Sequence, residues 1–284
     1  MTAPSLPGPG SLSPDALVPA RLAQHFAAQP LAAAAYALLP MTDDHSHATL
    51  EWDAERWRYL GRPLGSSGRA FLDLSELRIG LLDEAGGEAV SIALAGKTLD
   101  DGFAAFASAL RERGADVPAD GLRLPEWDLP ESGLTAGEPF PEPDEAFVEL
   151  ARWNHFASAA LRAIAREELE GAPLLLWAHH FDTAALQSFP ATEAAPSGRF
   201  LGAGFSPGDG SYAEPYFYVS PWPAPAPDAL PALTSGAHWH TEGFTSAVLT
   251  ASAILGAAGD DAQRALVLGS LRESITHGRA LIGS

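Results

Sequence analysis

The sequence predicts an α+β fold, an antiparallel sheet with helices packed on it. Three observations carry this. Short runs place apolar residues at alternate positions between turn residues, longer alanine-rich runs place them at helical spacing, and the order helix, strand, hairpin, helix occurs twice. The repetition predicts a duplicated α-β-β-β-α unit, with residues 13–117 and 142–284 as the halves, 118–141 as the connecting segment and 1–12 as a disordered tail.

The elements follow in order. Asp15 to Leu39 has helical spacing interrupted by Pro19 and Pro30, which predicts one or two short helices. Thr49–Asp53 and Arg56–Leu60 read as short strands, and Phe71–Leu82 forms a hairpin with Glu88–Leu94 across Asp83–Gly87. Leu99–Arg113 is a helix with Thr98 as N-cap, Phe103, Phe106 and Leu110 on one face and Gly114 as its stop. Pro118–Pro143 is rich in Pro, Gly and acidic residues, which makes it the connection. In the second half, a helix spans Glu142–Glu170 and Leu174–Asp182 is a strand. Phe200–Ser206 and Tyr216–Ser220 form a hairpin, and Phe244–Leu255 is a helix.

Composition narrows the function. The 36 acidic against 17 basic residues give a net charge of −19, which repels nucleic-acid backbones and anionic membranes, so neither is an expected partner. With no cysteine, thiolate catalysis, iron–sulfur ligation and Cys-type zinc sites are excluded. The first dozen residues lack a basic signal-like region and Leu31–Pro40 is too short to span a bilayer, so the cytoplasm is the expected compartment.

Chemistry-bearing residues concentrate between Trp177 and Trp222, in the runs WAHHFD, GFSPGDG and AEPYFYVSPW, with His238-Trp239-His240 beyond. On an extended strand His180 and Asp182 share a face, and Glu214 on the next hairpin can join them. His180, Asp182, Glu214, His238 and His240 therefore form a candidate set for a divalent ion, Zn, Mn or Fe. Asp182, Glu214 and His180 are the candidate catalytic groups. Trp177, His179, Tyr216, Tyr218 and Trp222 are the candidate lining of a small-molecule pocket, with Phe217 and Val219 on the opposite face of their strand.

The Gly-rich run lacks the Lys and Ser/Thr of a phosphate loop, so it reads as a turn with Gly208 and Gly210 at positive φ. Ser206, at the tip of a hairpin and followed by Pro207, is not a nucleophile elbow.

The strand, hairpin and helix ELRIGLLDEAGGEAVSIAL…TLDDGFAAFASALRERGADV, the HFD of WAHHFD and the GFSPGD…EPYFYV…PW run resemble, in that order, a family of uncharacterised bacterial proteins, DUF5996. The resemblance covers about Phe71 to Leu255. It implies a single compact fold and carries no catalytic residue across. Three functional readings stay open: a small-molecule pocket at the WAHHFD strand and the following hairpin, a metal-dependent hydrolase or oxygenase, and a non-catalytic homodimer joined through its Tyr216 and Tyr218 face.

Overall fold

A computed structural model describes residues 10, 12–193 and 195–283; the expected tail, 1–12, falls almost wholly outside that set. Contacts divide the chain into two compact units. The first is Pro14–Ala151 with Leu175–Asp182, and the second is built on Arg152–Leu174 and Thr183–Ser284. The proline-rich segment 118–141 lies inside the first unit.

The first unit opens with α1 (Pro14–Ala27) and α2 (Gln29–Leu38). Pro30 stands in the first turn of α2, where its missing N–H deprives no carbonyl. Pro19 does not end α1, because the bond it removes would reach only the first-turn carbonyl of Asp15, on an exposed residue. A five-stranded antiparallel meander follows: β1 (Glu51–Asp53), β2 (Arg58–Pro63), β3 (Arg69–Asp73), β4 (Arg78–Leu82) and β5 (Glu88–Ala93), paired in sequence order.

The single strand expected over Phe71–Leu82 is therefore two strands. Asp73 Oδ1 accepts from Ser75 N and Glu76 N, each at 3.0 Å, and this local turn reverses the chain. One sheet face supplies Trp52, Tyr59, Leu72, Ile79 and Leu81 to the core beneath α2 and α3 (Leu99–Glu112). Thr98 and Asp101 close a reciprocal capping box at the start of α3. After the proline-rich segment, α4 (Glu145–Glu168) starts in this unit, and β6 (Leu174–Trp177) returns to it.

The second unit holds β7 (Asp182–Phe189), β8 (Arg199–Ser206), β9 (Tyr216–Trp222), β10 (His238–His240) and β11 (Ser246–Thr250), then α5 (Ala251–Leu255) and α6 (Asp260–Ile282). The six-stranded sheet runs β10-β11-β9-β8-β7-β6. Its core packs Leu201, Phe205, Phe217, Val219 and Leu249 against Trp153, Leu161 and Ile164 of α4 and Val267, Leu271 and Ile275 of α6. Phe217 and Val219 thus face the core, as the alternation predicts.

The helix expected over Phe244–Leu255 is strand over Ser246–Thr250 and helix only over Ala251–Leu255. Ser246–Thr250 pairs with both β9 and β10, and that two-sided pairing outweighs its helix-compatible composition. Helix α6, which buries Val267, Leu271, Ser274, Ile275, Gly278 and Ile282, went unread although these positions recur at helical spacing. Among the described residues no helix is long and apolar enough to cross a membrane.

Candidate functional site

The densest chemistry in the first unit gathers around Tyr36, and one backbone pairing explains it. Leu50 and Leu176 exchange both hydrogen bonds, Leu50 N to Leu176 O at 3.0 Å and Leu176 N to Leu50 O at 2.7 Å. That single bridge draws the segment before Leu50 toward the turn after Leu176. Tyr36 reaches in from α2, and Trp127 from the proline-rich segment.

The rings then touch in series. Tyr36 meets His47 edge-on with centroids 4.5 Å apart and Trp127 at 5.6 Å. Trp127 meets His179 at 5.5 Å, and His179 meets Trp177 at 6.0 Å and His180 at 4.2 Å.

Hydrogen-bond partners assign the tautomers. The Thr42 backbone N–H lies 3.3 Å from His47 Nδ1 and can only donate, so Nδ1 accepts and the neutral ring carries its proton on Nε2. That Nε2 is buried and has no hydrogen-bond partner in the structure. The Tyr36 ring beside it offers at most a weak π acceptor.

Tyr36 Oη lies 2.6 Å from His45 Nδ1. Burial raises the phenol above its ordinary value, so it keeps its proton. Burial also holds the His179 imidazole at about 4, with His180 and His45 adding to the effect. His47 is lowered by burial first and by His45 next. Behind the cluster His25, held at about 4 by burial, donates from Nε2 to Ala178 O at 3.0 Å and stacks on Phe181 at 5.3 Å. His45 and Phe181 both adopt positive φ, 60° and 56°. For residues with a Cβ this costs about 1–2 kcal/mol each, strain held by the surrounding packing.

The turn that carries His179 and His180 overturns the strand expected over Leu174–Asp182. Trp177 O accepts from His180 N at 3.2 Å and from Phe181 N at 2.7 Å, so the chain reverses after β6 and β7 begins only at Asp182. Burial of the Phe181 ring against His25 stabilises the reversal. His180 and Asp182 consequently lose the alternate-face relation on which their pairing as ligands rested.

The remaining members of the expected metal set are engaged elsewhere. Glu214 Oε2 accepts from Ser252 N, 2.5 Å away at the start of α5. His238 Nε2 and His240 Nδ1 lie 2.9 and 3.0 Å from the Tyr212 hydroxyl. Among the described residues no group of three or more His, Asp or Glu side chains is disposed to hold a metal ion. The set His180, Asp182, Glu214, His238 and His240 is thus not assembled, and the catalytic grouping of Asp182, Glu214 and His180 loses the same basis.

Tyr212 organises a second cluster, within the second unit. His240 Nε2 lies 2.7 Å from the Glu242 carbonyl, which only accepts, so Nε2 bears the proton and Nδ1 accepts from Tyr212. The phenol's one proton is then used, so His238 Nε2 donates to the phenol oxygen. Tyr216, on the sheet face opposite the core, donates to Asp209 Oδ2 at 2.6 Å. Tyr218 lies across Gly204, where a Cβ would come within 2.5 Å of its ring. Trp222, at the end of β9, is exposed.

In the run after Phe205, Gly208 takes φ 114° while Gly210 does not take a positive φ. The Ser206 hydroxyl accepts from Gly208 N at 3.1 Å, so it serves the turn. The sequence reading missed Tyr36, His45, His47 and Trp127. His45-Ser46-His47 carried the signal, a spaced pair like His238-Trp239-His240, but nothing local joins it to residue 179.

Comparison with family models, with curated proteins and with solved structures finds no match.

Proposed function

We propose that this chain binds a small uncharged molecule at the Tyr36, His45, His47, Trp127 and His179 cluster, beside Trp177. The observation that carries the reading is the buried Nε2–H of His47, a donor without an acceptor. Such a group costs about 1–3 kcal/mol, and a ligand oxygen would satisfy it. The neighbouring Tyr36 and Trp127 rings suit a flat apolar body. Burial keeps the His179 imidazole neutral and disfavours charge on His47, and the chain carries −19 charges, all of which disfavour an anion. The motifs shared with DUF5996 support a common fold for that family and this chain, and this site would then be one to compare within it.

The test uses benzamide and benzoate, probes of one shape and different charge, read by tryptophan fluorescence and thermal shift. Benzamide is expected to quench fluorescence saturably and to raise Tm by mass action, whereas benzoate does neither. In His47→Phe the benzamide response should vanish while the unliganded stability falls by no more than about 1 kcal/mol, because the orphaned donor leaves with the imidazole and offsets the acceptor lost to Thr42 N. An unchanged benzamide response in His47→Phe, or no response in the wild type, overturns the proposal.

A further inference from the structure

The face of the five-stranded sheet turned away from its core carries a separate cavity. It measures about 430 Å³ and is lined by Arg56, Arg58 and Arg69 together with Leu60, Pro63 and Leu82. That volume falls in the range of small-ligand pockets. Three of the chain's 17 basic residues line this one cavity, Arg56 from the turn before β2, Arg58 from β2 and Arg69 from β3.

Arg58 is the unusual member. Its side chain is only 3% exposed, and its guanidinium lies over the Phe71 ring at 5.0 Å. Nη1 donates to Glu88 Oε1 at 2.9 Å. Nε, by contrast, is buried without a hydrogen bond; its nearest carboxylate oxygen, Asp53 Oδ2, is 3.7 Å away, too far for one. A buried, permanently charged donor left in this state is costly. Nε and Nη2 form the edge of guanidinium that receives a carboxylate through two parallel bonds.

Three carboxylates also line the cavity, Asp53, Asp83 and Glu84. Two of them serve turns. Asp53 Oδ1 accepts from Glu55 N and Arg56 N, and Asp83 Oδ1 from Ala85 N and Gly87 N. Three arginines and three carboxylates make the lining formally neutral, which opposes a doubly charged phosphate more than a single carboxylate. Leu60 and Leu82 give an apolar floor beside the arginines.

We propose that this cavity binds a small aliphatic monocarboxylate, its carboxylate received by Arg58 and its tail lying on Leu60 and Leu82. The site is independent of the His47 cluster.

The experiment titrates the full chain with butyrate, acetate and inorganic phosphate, following the arginine Nε–Hε signals by NMR. Butyrate should shift the Arg58 signal saturably, with acetate and phosphate each weaker. Arg58→Lys keeps the charge but loses the fork, and should weaken butyrate binding about tenfold. Because Arg58 is buried, Arg56→Ala is the companion variant: its side chain is 57% exposed, and its loss should weaken butyrate severalfold without moving Tm. A linear, unsaturable response, a preference for phosphate, or wild-type affinity in both variants overturns the proposal.

Discussion

His25 makes acid stability of this protein a direct readout of one imidazole. Burial lowers its pKa from 6.5 to about 4, so the unfolded chain takes up a proton from about pH 6.5 downward while the folded chain does not. Stability contributed by the neutral ring is complete above the unfolded value and is lost as pH falls from 6.5 toward about 4. The full loss is about 3 kcal/mol, with a slope approaching about 1.4 kcal/mol per pH unit. His25→Phe removes the titration and preserves the stack on Phe181, 5.3 Å away. Ala178 O keeps Gln29 Nε2 as a donor at 2.8 Å, so only the His25 bond is lost. That bond is worth about 1 kcal/mol.

The variant should therefore be less stable than wild type at neutral pH and more stable in acid, with the two curves crossing near about pH 6. Urea denaturation followed by tryptophan fluorescence from about pH 8 to about pH 4 supplies both curves, and taking their difference removes the carboxylates common to the two proteins. The wild-type His25 ring proton signals should meanwhile stay at their neutral positions down to about pH 5. Parallel curves, or a His25 signal that titrates near its ordinary value, would refute the reasoning.

Two further outcomes follow from close contacts and from hydrogen bonding. Gly80→Ala places a Cβ 2.1 Å from Val90 O and 2.6 Å from the Phe71 ring, so backbone must move and the first unit should lose about 1–3 kcal/mol or more by chemical denaturation; a loss under about 0.5 kcal/mol would show that β4 and β5 separate freely. Chelator should leave the wild-type Tm unchanged whereas Tyr212→Phe should lower it slightly, since His238 and His240 are held by the Tyr212 hydroxyl; a chelator-sensitive Tm would restore a metal to these imidazoles.

What could be read from the sequence was local. The capping box of α3 is written in Thr98 and Asp101, within one helical turn, and the alternation of Tyr216, Phe217, Tyr218 and Val219 sorts itself between the two faces of β9. The α+β class follows from such periodicities, because a stripe or a face must be buried whatever the partner. The Asp73-Leu74-Ser75-Glu76 turn is equally local, made by one carboxylate within three residues, yet the sequence reading passes through it as part of a single strand.

Tertiary structure alone decided the rest. Ser246–Thr250 became a strand only because β9 and β10 were there to pair with it. His179 and His180 left the strand because Phe181 found His25, more than 150 residues earlier in the chain. The single pairing of Leu50 with Leu176 draws the His47 and His179 segments together, and Trp127 joins Tyr36 to His179 from a segment whose composition announces only a connection. A hydrogen-bond register between distant strands is set by the total burial it permits, a property of the whole chain that no window of residues contains.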